Sequence, residues 1–275
     1  MKKTLAALLA AACLAQPALA DNGPRRDGVD VGTSSQVRKL VPAEKLEEAA
    51  GQQYGEMMRQ AAAKNALAPD NHPQVVRLRA IAKRILPYAP RFNPRAERWQ
   101  WEVNLIGSKQ LNAFCMPGGK IAFYTGIIDT LKLTDDEIAM VMGHEIAHAL
   151  REHARERIAK SGLVDGAAWL ASQIFAGSKY GGLIQLGAQG AADLSKLSFS
   201  RDDESEADVV GLDLAARAGF DPRAGVTLWE KMGAMNRGAP PQWLSTHPAG
   251  KNRIKEIERH LPEVMPLYEA ARQRG

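Results

Sequence analysis

His144 and His148 stand four residues apart in the string His144-Glu145-Ile146-Ala147-His148. On a helix that spacing is about 400°, so both imidazoles lie on one face, one turn apart. Two imidazoles so placed can hold one Zn²⁺, and Glu145 beside them can hold a water that the ion acidifies to a pKa of about 7. The carboxylate would take that water's proton as the water attacks a carbonyl, which is metal-assisted hydrolysis. A hydrolytic zinc takes three protein ligands and keeps one position open. The extended pattern with Gly and His further along the same helix is absent, because Arg151 and Ala154 occupy those places. His153 therefore reads as an imidazole packed or solvated on the helix. The better third ligand is Glu204, in Glu204-Ser205-Glu206-Ala207-Asp208. Asp208, one turn on, can accept a hydrogen bond from the free ring nitrogen of a ligand histidine. Alone, this acidic cluster would be a helix N-terminus favoured by its dipole; beside the histidine pair it reads as part of a site. Glu206 reads as facing solvent.

These side chains need well-started helices. Thr134-Asp135-Asp136-Glu137 is a capping box, and a long helix is expected from 135 to about 160, ended by Gly162. Its charged far end, 151–157, reads as a solvated face. Ser200 starts a second helix with acids in its first turn, running to about Ala218 with Gly219 as its stop. Upstream, 42–66 and 73–86 read as helices and 88–94 as a loop broken by prolines. The period then changes: residues 99–105 alternate as a half-buried strand, and 111–115 and 121–125 read as two more. Met116-Pro117-Gly118-Gly119 turns the chain between them, giving a small antiparallel sheet. Residues 163–195 hold two uncharged runs, 166–178 and 180–192, each shorter than the roughly 20 residues a spanning helix needs. They read as a buried or interfacial helical hairpin, with a substrate-covering or membrane-touching lid as the alternative. Helices around 223–236 and 249–260, and a short one after Pro262, complete an α+β, mostly helical chain.

With 275 residues, 45% hydrophobic and 24% charged, the chain can bury a full core without a disulfide or metal staple. That composition excludes collagen-like, disulfide-rich and wholly disordered classes. The net charge of +5 is scattered, with no long Lys/Arg block, so nucleic acid is not an expected partner. Lys2-Lys3, an apolar stretch over 5–15 and Ala18-Leu19-Ala20 have the form of a secretory signal cleaved after Ala20. A lipoprotein signal cleaved before Cys13 is the weaker alternative. Residues 1–20 are thus read as a signal peptide, 21–40 as a flexible leader and 41–275 as a single domain. After cleavage Cys115 is the one remaining cysteine and reads as a small buried apolar residue.

Several further strings follow in order: Gln53-Tyr54-Gly55-Glu56; Asn112-Ala113-Phe114, then Pro117-Gly118-Gly119-Lys120-Ile121 and Gly126; His144 to His148 with His153; Ser200-Arg201-Asp202-Asp203-Glu204 through Asp208; and His247-Pro248 with Arg253. The ordered set resembles the zinc metallopeptidases that include the prenyl-protein endopeptidases, the heat-shock membrane protease HtpX and the mitochondrial Oma-type proteases. The soluble periplasmic members, such as the β-barrel assembly-enhancing protease, are the nearest by this reading.

The resemblance implies a zincin-like (gluzincin) fold with one Zn²⁺ per chain. It makes His144, His148 and Glu204 the ligands and Glu145 the catalytic base. Asp208 and Arg253 support them, with Arg253 orienting the His247 loop. His247 corresponds to a histidine that fills the open coordination position or stabilises the oxyanion. Asn112, Gly118 and Gly119 belong to a sheet edge to which an extended substrate adds as a strand. The implied function is hydrolysis of misfolded or stalled envelope proteins in the periplasm, with membrane association left open. The implied partners are unfolded or misassembled proteins and the outer-membrane assembly machinery. A chaperone-like assembly factor with latent proteolysis is the alternative. No spanning helix is expected after the signal, nor the helical-repeat domain that some periplasmic members append.

Overall fold

The computed structural model describes residues 27–165, 194–195, 197–235, 242–247 and 252–274. The signal-peptide reading and nearly all of the 163–195 hairpin reading lie outside these residues. In chain order the described elements are α1 (Ala43–Ala63), α2 (Pro73–Ile85), β1 (Glu102–Ile106), β2 (Ala113–Met116), β3 (Lys120–Tyr124), α3 (Thr125–Leu131), α4 (Asp135–Leu150) and α5 (His153–Asp165). They continue with α6 (Arg201–Arg217), α7 (Ala224–Met235), α8 (Gln242–Thr246) and α9 (Arg253–Arg274). Short 3-10 turns fill Gln36–Leu40, Leu86–Arg91 and Pro94–Arg98.

α4 is the central element. Its capping box is complete: the Glu137 amide donates to Thr134 Oγ1 at 3.2 Å, and the Thr134 amide donates to Glu137 Oε2 at 2.8 Å. From Glu137 to Leu150 every residue is buried. The sheet through β2, α2, α6 and α7 all pack around it. α6 is started by the same device, with Asp203 in the role of Glu: its amide donates to Ser200 Oγ at 3.2 Å, and the Ser200 amide donates to Asp203 Oδ2 at 2.9 Å.

α4 and α6 meet at two glycines. A Cβ on Gly143 would lie 2.8 Å from the Gly211 carbonyl oxygen, and one on Gly211 would lie 2.8 Å from the His144 amide nitrogen. Backbone therefore touches backbone at the residue before the first histidine, and a methyl group there has nowhere to go. Gly211→Ala is expected to destabilise the protein by about 1–3 kcal/mol in denaturant unfolding. Gly233→Ala, in α7 with nothing within 4 Å of the added carbon, is expected to be neutral or stabilising. Equal unfolding midpoints for Gly211→Ala and wild type would contradict the close crossing.

The sheet is mixed, which corrects the expectation of an antiparallel one. Its order is β1-β3-β2. β2 and β3 form the expected antiparallel hairpin, with Phe114 opposite Ala122, but β1 runs parallel to β3, with Val103 opposite Ile121. The loop after β1 explains this. Ser108 donates its amide to Thr125 Oγ1 at 3.1 Å and accepts the Gly126 amide at 2.8 Å, both just beyond β3. Those bonds draw β3 in beside β1 and leave β2 at the edge. Ile121, Ala122 and Phe123 are fully buried, as a central strand requires.

Other boundaries also move. The helix expected to run to 160 breaks after Leu150, with Glu152 in the left-handed region at φ 60°. The break is held from afar: Asn93 Nδ2 donates to the Leu150 carbonyl at 2.9 Å, and Glu152 accepts from Arg38 at 2.7 Å. The expected solvated face is largely buried, including Arg151, His153 and Glu156. The two C-terminal helices are one, α9, which continues through Pro262 and Pro266 with Val264 and Leu267 buried. Residues 27–40, read as part of a flexible leader, lie against the body. The Val29 amide donates to Asp213 at 3.1 Å, and Asp27 pairs with Arg217 at 3.0 Å and Arg91 at 2.7 Å.

Candidate metal centre

The glycine crossing brings Glu204 of α6 to the face of α4 that carries the histidine pair, and α8 delivers His247 to the same place. One ligand atom each from His144, His148, Glu204 and His247 lies within 4.8 Å of the others, and all four residues are buried. His144 Nε2 is 3.0 Å from His148 Nε2 and 3.1 Å from His247 Nδ1. His247 Nδ1 is 3.0 Å from Glu204 Oε1, and the Glu204 oxygens lie 3.5 Å from His144 Nε2 and His148 Nε2. Ligands about 2.0–2.1 Å from a tetrahedral zinc are about 3.3 Å from one another, so these separations match the edges of such a site. Lone pairs facing each other at this range in a buried space repel unless a cation lies among them. Three imidazole nitrogens and one carboxylate are a donor set that suits zinc.

The supports fix which atoms face inward. Asp208 Oδ1 is 3.0 Å from His144 Nδ1. Burial works against the Asp208 charge, but Arg253 and His144 hold its pKa below the usual carboxylate value. An ionised carboxylate only accepts, so His144 Nδ1 carries the proton and Nε2 offers its lone pair. His148 is kept neutral: burial first, then His144, His153, His247 and Arg253, hold its pKa well below the usual value. Glu204 is buried too, yet His247, His144 and Arg253 keep its pKa low. Burial opposes charge on His247, but the Glu145 and Glu204 carboxylates outweigh it and hold its pKa above the usual value.

The sequence reading assigns Arg253 to the His247 loop. Its guanidinium sits instead across two carboxylates, donating to both Asp208 oxygens at 2.5 Å and to Glu204. It lies 4.0 Å over the Trp229 ring. Arg253 thus ties the predicted ligand of α6 to its helical neighbour one turn on.

Glu145 is held by a residue the sequence did not single out. Trp243 Nε1 donates to Glu145 Oε1 at 2.6 Å, and His247 Nε2 lies 3.5 Å from the same oxygen. The Trp243 amide donates to the Leu111 carbonyl at 3.0 Å, stitching α8 to the approach of β2. Phe199 stacks on His148 at 4.0 Å between centroids. No spacing rule points to a lone tryptophan or phenylalanine in such a role. Glu206 corrects the solvent-facing expectation: it is half-buried, 2.9 Å from His153 Nε2 and paired with Arg151. His153 itself lies 2.8 Å from His148 Nδ1.

The three residues of the expected substrate edge lie in and around β2 and its turn. β2 is an edge strand, and the Asn112 carbonyl accepts the Tyr124 amide, facing β3. Gly118 and Gly119 lie in the β2–β3 turn at φ 84° and 82°, against Glu47 and Trp101, and not among the four converging groups. A Cβ at Gly119 would lie 2.7 Å from the Trp101 ring, so this glycine serves the turn and its packing.

A histidine pair with an intervening glutamate on one helix, completed by a glutamate from a second, defines a zinc metallopeptidase of the gluzincin type. Residues 72–261 match Peptidase family M48, and the chain belongs to that family. It is 35% identical over 209 residues to the mitochondrial metalloendopeptidase OMA1 of Schizosaccharomyces pombe, covering 74% of this chain and 58% of that one. The Arabidopsis thaliana OMA1 is 40% identical over 61% of this chain and 33% of its own length. The β-barrel assembly-enhancing protease of Escherichia coli is 30% identical over 59% of this chain and 35% of its own. The two mitochondrial proteins therefore match at higher identity than the β-barrel assembly-enhancing protease. The chain spans less than two thirds of the length of each of these three relatives. Among the described residues, no helix is long and apolar enough to cross a membrane.

Proposed function

We propose that the protein is an endopeptidase in which His144, His148 and Glu204 hold the zinc and Glu145 is the catalytic base. The observation that carries this reading is the meeting of those three ligands beside a carboxylate that Trp243 holds in place. When bound, the zinc supplies Lewis acidity, polarising a peptide carbonyl and acidifying water. Glu145 takes a proton from the attacking water and hands it to the amine that leaves, so the carboxylate ends as it began. Asp208 and Arg253 keep His144 and Glu204 in register. His247, which stands as a fourth donor among the ligands, would fill the open position at rest or steady the oxyanion.

Substrate peptide is proposed to lie along β2. The Asn112 carbonyl points toward β3, so by antiparallel alternation the backbone groups of Ala113 and Cys115 point away from it, toward the open edge. Backbone pairing reads no side chains, which suits unfolded or misassembled proteins. With the export signal in 1–20, the reading is quality control in the periplasm, near the outer-membrane assembly machinery. A relative named for β-barrel assembly supports this compartment, while the mitochondrial relatives, named metalloendopeptidases, support the peptidase activity. A chaperone-like factor with latent proteolysis is the second reading, favoured by His247 standing as the fourth donor.

The test is metal removal. Casein cleavage is expected to vanish when a chelator strips the purified protein and to return with about one equivalent of zinc. Cleavage that persists in metal-free protein would refute the reading. For the biological role, unassembled envelope proteins are expected to accumulate in cells that lack an active copy.

A further inference from the structure

We propose that His153 is a positioning residue for the metal: it accepts the Nδ1 proton of His148 and so turns the His148 Nε2 lone pair toward the ligand cluster. The proposal rests on the ligand set above and explains what makes one member of it competent.

A metal-binding histidine needs a partner for its other ring nitrogen, ordinarily a carboxylate, a backbone carbonyl or water. His144 has Asp208. Among the described residues His148 has no carboxylate on Nδ1; its neighbour there is His153 Nδ1 at 2.8 Å, with both rings buried. Two imidazole nitrogens at that distance share one proton, so one donates and the other accepts. The far side of His153 decides which. Its Nε2 lies 2.9 Å from Glu206 Oε2 and 3.9 Å from Asp203 Oδ1, and carboxylates accept. Nε2 is therefore the donor of this ring, which leaves Nδ1 as its acceptor. His148 Nδ1 then carries the shared proton. Arg151 is the charge partner of Glu206 on the carboxylate's other oxygen, and its guanidinium also donates to the Gly32 carbonyl at 3.0 Å.

The backbone break makes this contact. On a continuous helix His153 would sit about 140° around the axis from His148 and face away. With Glu152 left-handed, α5 begins anew at His153 and turns its ring back under His148.

The experiment uses zinc-loaded protein carrying ¹⁵N-labelled histidine. A scalar coupling across the N–H···N bond between His148 Nδ1 and His153 Nδ1 is expected in the wild type. Zinc affinity, read by competition with a chromophoric chelator, is expected to fall about 10- to 100-fold in His153→Phe. It should stay within about threefold of wild type in His153→Asn, whose Oδ1 replaces the acceptor. A folded His153→Phe with wild-type affinity would overturn the proposal. So would zinc-loaded wild type in which the proton sits on His153 Nδ1 and the coupling is absent; this decides the matter even if His153→Phe does not fold. Wild type that takes up no zinc at all would instead sink the ligand assignment itself.

Discussion

Glu145→Gln is expected to retain zinc and to lose casein hydrolysis by about 10²–10⁴-fold, the range for removing a general base. That loss corresponds to about 3–5 kcal/mol of barrier. The substitution keeps the shape of the side chain, and the amide oxygen can still accept from Trp243 Nε1, so the group stays where it is. What disappears is the ability to take a proton from water and give it to a leaving amine. A variant that cleaves at more than about a tenth of the wild-type rate would remove Glu145 from the base role. The same variant separates the two functional readings. Failure both to cleave and to relieve an envelope-assembly defect supports the protease. Full relief by the inactive variant supports the holding factor, with His247 as the group that keeps the site shut.

Glu204→Ala is expected to abolish tight zinc binding, whereas Glu206→Ala should weaken it by about 10- to 100-fold through His153. The two glutamates are two residues apart, yet their surroundings differ. Glu204 is within reach of three imidazoles and Arg253, while Glu206 touches His153 and Arg151. Removing Glu204 also leaves the buried Arg253 with one carboxylate partner fewer, a loss of up to about 3–5 kcal/mol when a buried ion pair is broken. Glu204→Gln guards against a folding failure, since its amide oxygen still accepts from Arg253 while the anionic ligand is gone. Metal content by mass spectrometry of the intact protein reads all three variants. Zinc kept in Glu204→Ala and lost in Glu206→Ala would reverse the ligand assignment.

The parts that were legible share one property: each depends on residues within a turn or two. The histidine pair and Glu145 follow from helical spacing, and the Thr134–Glu137 capping box from three-residue spacing. The Glu204–Asp208 relation follows from a second helix of known phase. The parts that were not legible depend on what lies across the fold. His153 reads as inert on a straight helix, and Asn93, which helps to end that helix, is 57 residues from Leu150. Glu206 lies about 200° around the helix from Glu204, a direction that reads as solvent until the polar start of α5 is found there. Gly143 and Gly211 each look like a weak point in a helix; only together do they form a crossing. Trp243 has no motif around it, and β1 beside β3 depends on where the loop after Ile106 finds its hydrogen bonds.

Read alone, then, the chain determines the candidate metal-binding side chains of the two helices and the helical phase on which each sits, because backbone geometry repeats every 3.6 residues whatever surrounds it. Tertiary structure alone decides that these side chains reach one another and that His148 Nδ1 meets His153. Those outcomes depend on two glycines removing the last few ångströms between helices, and on buried polar groups finding partners from distant segments.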